Sequence, residues 1–370
     1  MVAAYRGLPV DTVPVAPEFW YYVPAKVLGV DMITFERELP HWQALQRTFA
    51  HYGTEGWGIV FPSIPTPDVR AREEWVDLGD NRFESRVTIE TLEGTLARRQ
   101  RYDRREPSWA VERPIKVFER DWPAYRAMTL GLVEEAEWRG VRRALDAVGE
   151  DYLLEVMVGV PFFDYIADGR EGGLAQGVFD LIEHEAFFEE LHEVYIEYMR
   201  RLARAAMTHT TVEALFIGCS WSCVSLIGPA LWRRWDKPVI RAVADEAHSA
   251  GKLLHVHFHG KCRQVLAAFA ECGADCVCPF ERPPGGDITD IAEVRRLLGD
   301  RVTFNGNVHT VETLIRGTPD HVRREVEEIF AQWGPDRRRL ILGTGDQVGA
   351  ETPEDNIRAM IDAGRELGRI

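Results

Sequence analysis

The sequence predicts an α/β fold, a (β/α)8 TIM barrel with an N-terminal extension, and three observations carry that prediction. From residue 150 onward, apolar runs of strand length alternate with amphipathic helical patterns, as parallel strands joined by crossover helices require. Six such units are visible, and the upstream part leaves room for two more, which matches a barrel of roughly 250 residues or more. The competing doubly wound sheet lacks its signature, because no Gly-x-Gly-x-x-Gly follows a strand and opens a helix. The nearest glycine-rich stretch, Gly343-Thr344-Gly345-Asp346, ends in an acid that would repel a pyrophosphate.

Taken in order, residues 1–150 form the extension and the first barrel elements, and they hold seven of the eleven tryptophans. Strand-like pieces at 57–61 and 86–92 sit among loops there. The basic run at 98–106 reads as a solvated face, with an anion-binding lid as the alternative. Residues 151–370 form the main part of the barrel, with strands expected at 152–158, 214–217, 253–258, 275–278, 301–304 and 340–342. Helices are expected at 181–207, 229–250, 262–272, 288–298, 320–333 and 354–367. Thr318-Pro319 and Thr352-Pro353 each place a capping threonine before a proline at a helix start.

Composition narrows the function classes. With 370 residues, 45% hydrophobic and 28% charged, an ordinary folded core is expected. A net charge of −15 argues against nucleic acid as a partner, since phosphates need a basic surface. No apolar run approaches the roughly 20 residues of a membrane span, and the start has no signal-peptide core. The six cysteines lack Cys-x-x-Cys spacing and read as reduced thiols of a cytoplasmic protein, Cys219 and Cys223 as packing residues.

Catalytic groups of such a barrel come from the C-terminal ends of its strands. Those ends offer Phe163, Asp164 and Tyr165, then Cys219-Ser220-Trp221-Ser222, then His257 and His259. Glu281, Arg282 and Asp287 follow, then Asn305 and Asn307, then Asp346-Gln347. The run His255-Val256-His257-Phe258-His259-Gly260 is the sharpest signal, because alternate residues of a strand share a face. Neighbouring histidines of that row have Cα atoms roughly 6.6 Å apart, close enough for two nitrogens to meet one metal ion. His255 and His259 stand roughly 13 Å apart, which makes His255 a supporting or core residue. The pair His257 and His259 reads as metal ligands, with metal-free catalysis or a structural role as alternatives. Asp346 is the leading third ligand and Glu281 the second candidate.

The segments Leu254 to Gly260, Asn305-Gly306-Asn307, Gly317-Thr318-Pro319, Gly343-Thr344-Gly345 and Thr352 to Met360 resemble the uroporphyrinogen decarboxylase superfamily, as do Gly228-Pro229 and Ala247 to Lys252. The likeness is strong from about residue 210 onward, and it implies a (β/α)8 barrel. It also implies one of two chemistries: cofactor-free decarboxylation of porphyrinogen acetates, or zinc-dependent methyl transfer between corrinoid proteins and a thiol such as coenzyme M. The decarboxylase branch carries an N-terminal arginine-rich grip of the form Arg-Pro-x-Trp…Arg-Gln-Ala-Gly-Arg, which this sequence lacks. The methyltransferase branch binds zinc with His-x-Cys and a later cysteine in a Gly-x-Gly-Cys-like turn. Here His259 and Asp346 stand where the two cysteines would be. A zinc ion so held is a stronger Lewis acid, better suited to polarising oxygen than to activating a thiol.

The reading is therefore a metal-dependent methyltransferase with a divalent metal, zinc by resemblance, and a corrinoid or small organic methyl donor. His257, His259 and Asp346 hold the metal. Glu281, Asn307 and Gln347 serve catalysis, and Phe163, Tyr165, Trp221 and Arg282 line the substrate. The partners implied are a small-molecule substrate, a corrinoid protein and a second copy of the chain. A decarboxylase, a metal-dependent hydrolase or lyase, and a non-catalytic ligand-binding barrel are the alternatives.

Overall fold

In the computed structural model, which describes residues 1–370, the chain forms two sheets. In chain order the strands are β1 (Val15–Ala16), β2 (Trp57–Val60), β3 (Arg70–Gly79), β4 (Arg82–Thr91), β5 (Gly94–Asp103), β6 (Trp109–Glu112), β7 (Leu153–Gly159), β8 (Ala214–Cys219), β9 (Leu253–Phe258), β10 (Cys276–Pro279), β11 (Thr303–Val308) and β12 (Leu340–Thr344). Eight of them pair in parallel in the order β1-β12-β11-β10-β9-β8-β7-β2, a curled sheet consistent with a TIM-like barrel. The two edges are the first two strands in the chain, and side chains bridge the seam between them. Thr54 Oγ1 donates to Val15 O at 2.6 Å, and Val15 N donates to the Glu55 carboxylate at 3.3 Å.

Strands covered on both faces are rich in apolar residues along their whole length, which is why β8, β9 and β12 are legible as short apolar runs. One core lies between the strands and the surrounding helices, and a second fills the interior of the curl. Register sets which groups face that interior: Cys276 stands opposite His255, and Cys278 opposite His257. Phe216 of β8 lies beside His255 on its other flank, and Gly218 beside His257. Tyr5, from the helix Val2–Tyr5, plugs the lower end and is fully buried.

Strands β3 to β6 form an antiparallel sheet of their own. Asp80 and Asn81 make its first hairpin, both left-handed at φ 53° and 62°, a conformation these short polar side chains tolerate. The basic run expected at 98–106 lies in and after β5, with three of its five arginines paired: Arg99 with Glu112, Arg101 with Glu84, Arg104 with Asp31. The piece expected at 86–92 is part of β4.

Several helices differ from expectation. The stretch 181–207 is two helices, Gly173–Glu183 and Glu185–His209, separated where His184 leaves helical geometry. The stretch 229–250 includes a widened turn, Trp232–Asp236, before the regular helix Lys237–Ser249. At 262–272 a tight turn precedes a short helix, Leu266–Glu271. Thr318 caps its helix as expected, accepting from His321 N at 3.3 Å. Thr352 does not: Pro353 takes the cap position and the Thr352 hydroxyl is buried without a partner. All six cysteines are buried and unpaired, and no helix is long and apolar enough to cross a membrane.

Candidate functional site

A cavity of about 590 Å³ opens at the C-terminal end of the parallel strands. Its floor is His257 and His259 of the β9 end, with Glu18 two residues past β1 and Asp346-Gln347 two residues past β12. Trp20, Tyr21 and Phe216 form apolar walls, while Tyr102 and Ser108 bring the antiparallel sheet and its loop over the opening. The cavity therefore lies between the two sheets.

The two histidines meet nitrogen to nitrogen. His257 Nε2 and His259 Nε2 are 2.7 Å apart, while His259 Nδ1 bonds Glu281 at 2.7 Å and His257 Nδ1 bonds Cys278 Sγ at 3.0 Å. The two Nε2 atoms stand at hydrogen-bond distance, so one of them must carry a proton toward the other, or a cation must take its place. Beside them Glu18 Oε1 is buried with no hydrogen-bond partner, 3.8 Å from His257 Nε2. Gln347 Oε1 is likewise buried and unpartnered on the same wall. Imidazole nitrogens and carboxylate oxygens converging with unfilled valence suit a divalent ion such as zinc, iron or manganese. The tightest grouping of ligand-type atoms is Glu18, His257 and Cys278, all within 4.8 Å of one another.

Charge in the site is strongly coupled. Burial, and then the neighbouring imidazoles, hold His257 well below the usual histidine range, so it is neutral. Burial pulls His259 the same way, but the hydrogen bond to Glu281 and the charges of Asp346, Glu18 and Glu281 outweigh it and lift the group to about 9. Burial, and then repulsion from Asp346, push Glu18 up to about 8. Asp346 is also raised, by burial. Burial would raise Glu281 too, yet His259 and the Gly260 N–H bring it below its ordinary value.

A second pair of buried acids lies behind the loop after β8. Asp164 accepts backbone N–H bonds from Ser220, Trp221 and Ser222 at 2.7–2.9 Å. Asp236 accepts from Phe163 N at 2.8 Å and from the Ser222 hydroxyl.

The structure brings His257, His259, Asp346 and Gln347 to one cavity, with Glu281 directly behind His259. It takes the other expected residues elsewhere. Asn307 turns its amide to Phe280 O at 2.9 Å and is not on the cavity wall. Arg282 is half of a partly buried ion pair with Glu325 at 2.9 Å. Phe163 is fully buried in the core, because the helix that follows β7 turns it inward. Tyr165 bonds Thr129 at 2.9 Å and lines a separate small cavity of about 210 Å³. Trp221, 36% exposed, lies on the outer loop. Asp346 is outside the tight grouping of ligand atoms and accepts from Gln347 N at 2.6 Å.

Sequence reading missed Glu18 and Cys278. Glu18 follows a two-residue strand with no periodicity to announce it. Cys278 was legible only as the alternate neighbour of Cys276 on an inward face, a period-2 signal rather than a zinc-knuckle spacing.

Comparison with known proteins agrees with the architecture. The family model for uroporphyrinogen decarboxylase (URO-D) matches residues 139–367. Methylcobamide:CoM methyltransferase MtaA of Methanosarcina barkeri is 25% identical over 210 residues, which is 54% of this chain and 58% of that protein. Methylated-thiol–coenzyme M methyltransferase of Methanosarcina mazei is 28% identical over 152 residues, 41% of this chain and 37% of that protein. Uroporphyrinogen decarboxylase of Thermus thermophilus is 28% identical over 184 residues, half of each chain. The matched stretch covers between 37% and 58% of the length of these curated relatives. A solved methyltransferase from Methanosarcina mazei superposes over 99% of this chain and 97% of its own, with a TM-score of 0.64 at 17% identity, a likeness of fold. The chain belongs to the uroporphyrinogen decarboxylase family.

Proposed function

We propose that this member of the family is a metal-dependent methyltransferase, which takes a methyl group from a small organic or corrinoid donor at the mouth of a (β/α)8 barrel. The observation that carries the reading is the convergence of His257 Nε2 and His259 Nε2 beside the unpartnered Glu18 oxygen, in a cavity of about 590 Å³. The methyltransferases among the relatives support the reaction class.

His257 and His259 would hold the metal, with Glu18 or Asp346 completing the set. When bound, zinc would supply Lewis-acid polarisation of an oxygen on the substrate. The residues around it have their own work. Neutral His257 offers a lone pair, Glu281 orients the His259 ring, and Gln347 Oε1 accepts a hydrogen bond from the ligand. Trp20, Tyr21 and Phe216 keep water from the reacting centre. Residues 1–150 act as an extension that supplies two barrel strands and a cover, and residues 151–370 as the body of the barrel. A corrinoid-carrying protein and a second copy of the chain are the partners, in the cytoplasm.

Decarboxylation of a polyanionic tetrapyrrole has less support here. The one arginine on the cavity wall, Arg37, is already bound by Glu73 through two contacts of 2.9 and 3.1 Å.

Metal analysis tests the centre: about one equivalent is expected, lost in His257→Ala. Demethylation of methylcobalamin with a panel of thiol and hydroxyl acceptors tests the reaction. No metal after anaerobic purification, or no demethylation with any acceptor by metal-loaded protein, would overturn it.

A further inference from the structure

We infer that Glu155, acting through His255 and Cys278, fixes the tautomer of His257 and aims its Nε2 lone pair into the cavity. The consequence for metal binding rests on the metal-centred reading above, whereas the hydrogen-bond chain does not.

Four buried side chains make one continuous path up the interior of the curl. Glu155 Oε2 is 2.9 Å from His255 Nδ1, and His255 Nε2 is 3.0 Å from Cys278 Sγ. Cys278 Sγ is 3.0 Å from His257 Nδ1, the ring nitrogen opposite the one that faces the cavity. Strand register builds this path: Cys278 stands opposite His257, with Cys276 opposite His255, so the thiol is positioned to touch both imidazoles. No member is exposed enough for water to substitute for a missing partner.

A neutral imidazole donates from one nitrogen and accepts at the other, and a thiol also does one of each. The polarity of the whole path is therefore set at its two ends, by Glu155 below and by His259 Nε2, 2.7 Å from His257 Nε2, above. Burial raises Glu155 against the pull of His255 and Tyr5; in its ionised form it accepts from His255 Nδ1 and leaves His255 Nε2 bare. That nitrogen takes the Cys278 S–H, the sulfur takes His257 Nδ1–H, and His257 Nε2 is left with its lone pair. Metal-binding histidines are commonly fixed by a carboxylate on the other ring nitrogen, worth about 10–100-fold in affinity. Here the carboxylate acts from two side chains away. A buried acid whose other oxygen, Oε1, has no partner is poorly explained by packing, which an apolar residue would serve better.

Glu155→Met removes the acceptor. The Tyr5 hydroxyl, 3.0 Å from the same Nδ1, then becomes the donor to it, and the path reverses. The experiment is nitrogen NMR of histidine-labelled, chelator-treated protein, paired with zinc affinity by competition against a chromophoric chelator. His257 is expected as the Nδ1–H tautomer in the native chain and as Nε2–H in Glu155→Met, with zinc affinity down about 10–100-fold. Cys278→Ser, which still donates and accepts, is expected to keep the native tautomer and an affinity within about threefold, while Cys278→Val follows Glu155→Met. An unchanged tautomer in Glu155→Met or Cys278→Val overturns the inference. So does a Cys278→Ser protein that loses zinc as Cys278→Val does, since the sulfur would then be a ligand rather than a relay. If the native chain binds no zinc, the metal-centred reading falls, and the tautomer comparison still decides the chain.

Discussion

Asp164 and Asp236, behind the loop after β8, differ from Glu18 and Asp346, on the cavity wall, in how many donors reach them. Asp164 accepts three backbone N–H groups, and Asp236 accepts a backbone N–H and a hydroxyl. Glu18 keeps an oxygen that nothing satisfies, and Asp346 accepts only the N–H of the next residue. Asp164 and Glu18 are both buried and both pushed up to about 8, with burial as the largest cause in each. The shift alone does not tell an anchor from a ligand. The donors do: a carboxylate saturated by backbone fixes a loop, and one left short of partners awaits something from outside.

The largest effect that would sharpen this contrast is on folding. Asp164→Ala strips the acceptor from three N–H groups and is expected to cost about 3–5 kcal/mol in denaturant unfolding, with metal affinity of the folded protein unchanged. A variant that kept its stability but lost metal would reverse the assignment. Glu18→Gln should do the opposite, losing about 10–100-fold in zinc affinity by chelator competition without loss of stability.

A third effect is pH dependence in chelator-treated protein. Glu18 rises from 4.5 to about 8 in the fold, and His259 from 6.5 to about 9. A group raised on folding contributes stability that is fully present below its unfolded pKa and lost as pH climbs through its folded one. Stability of the metal-free protein should therefore fall between pH 4.5 and about 9, most steeply from 6.5 to about 8, where the two ranges overlap. Glu18→Gln should fall less steeply in thermal melts, and an identical slope would remove Glu18 from the site. The smallest expected effect is Gln347→Ala, which deletes one ligand-facing acceptor and should raise KM by about 3–10-fold with little change in Tm.

How far the sequence carried this reading depends on where each residue lies. Strands β7 to β12 were legible because both faces are covered, so each reads as a short apolar run against polar loops. Helix Glu354–Leu367 fell where its pattern placed it, since one face packs on the core and the other is wet. The antiparallel sheet was hidden for the opposite reason: β3 is exposed over nearly its whole length, and charged residues blur its alternation. His257, His259, Asp346 and Gln347 were found because strand ends are readable one at a time. Phe163, Tyr165 and Trp221 were drawn toward the cavity by their nearness to strand ends, but the helix and loop that carry them turn them into the core or outward. Glu155 was beyond reach, and Cys278 showed only its alternation with Cys276, because the meaning of both lies in cross-strand register.

β1 is two residues long, pairs as a strand only with β12, and on its other side is tied to Thr54 and Glu55, just ahead of β2. It is a loose stave in the curled sheet, clipped on one side and buttoned on the other. Trimming the first 20 residues would pull out that stave, unplug Tyr5 from beneath it and carry off Glu18 in the same cut. Loss of function after N-terminal clipping would therefore report on the wall and the site together, and a purification tag is better fused after Ile370 than before Met1.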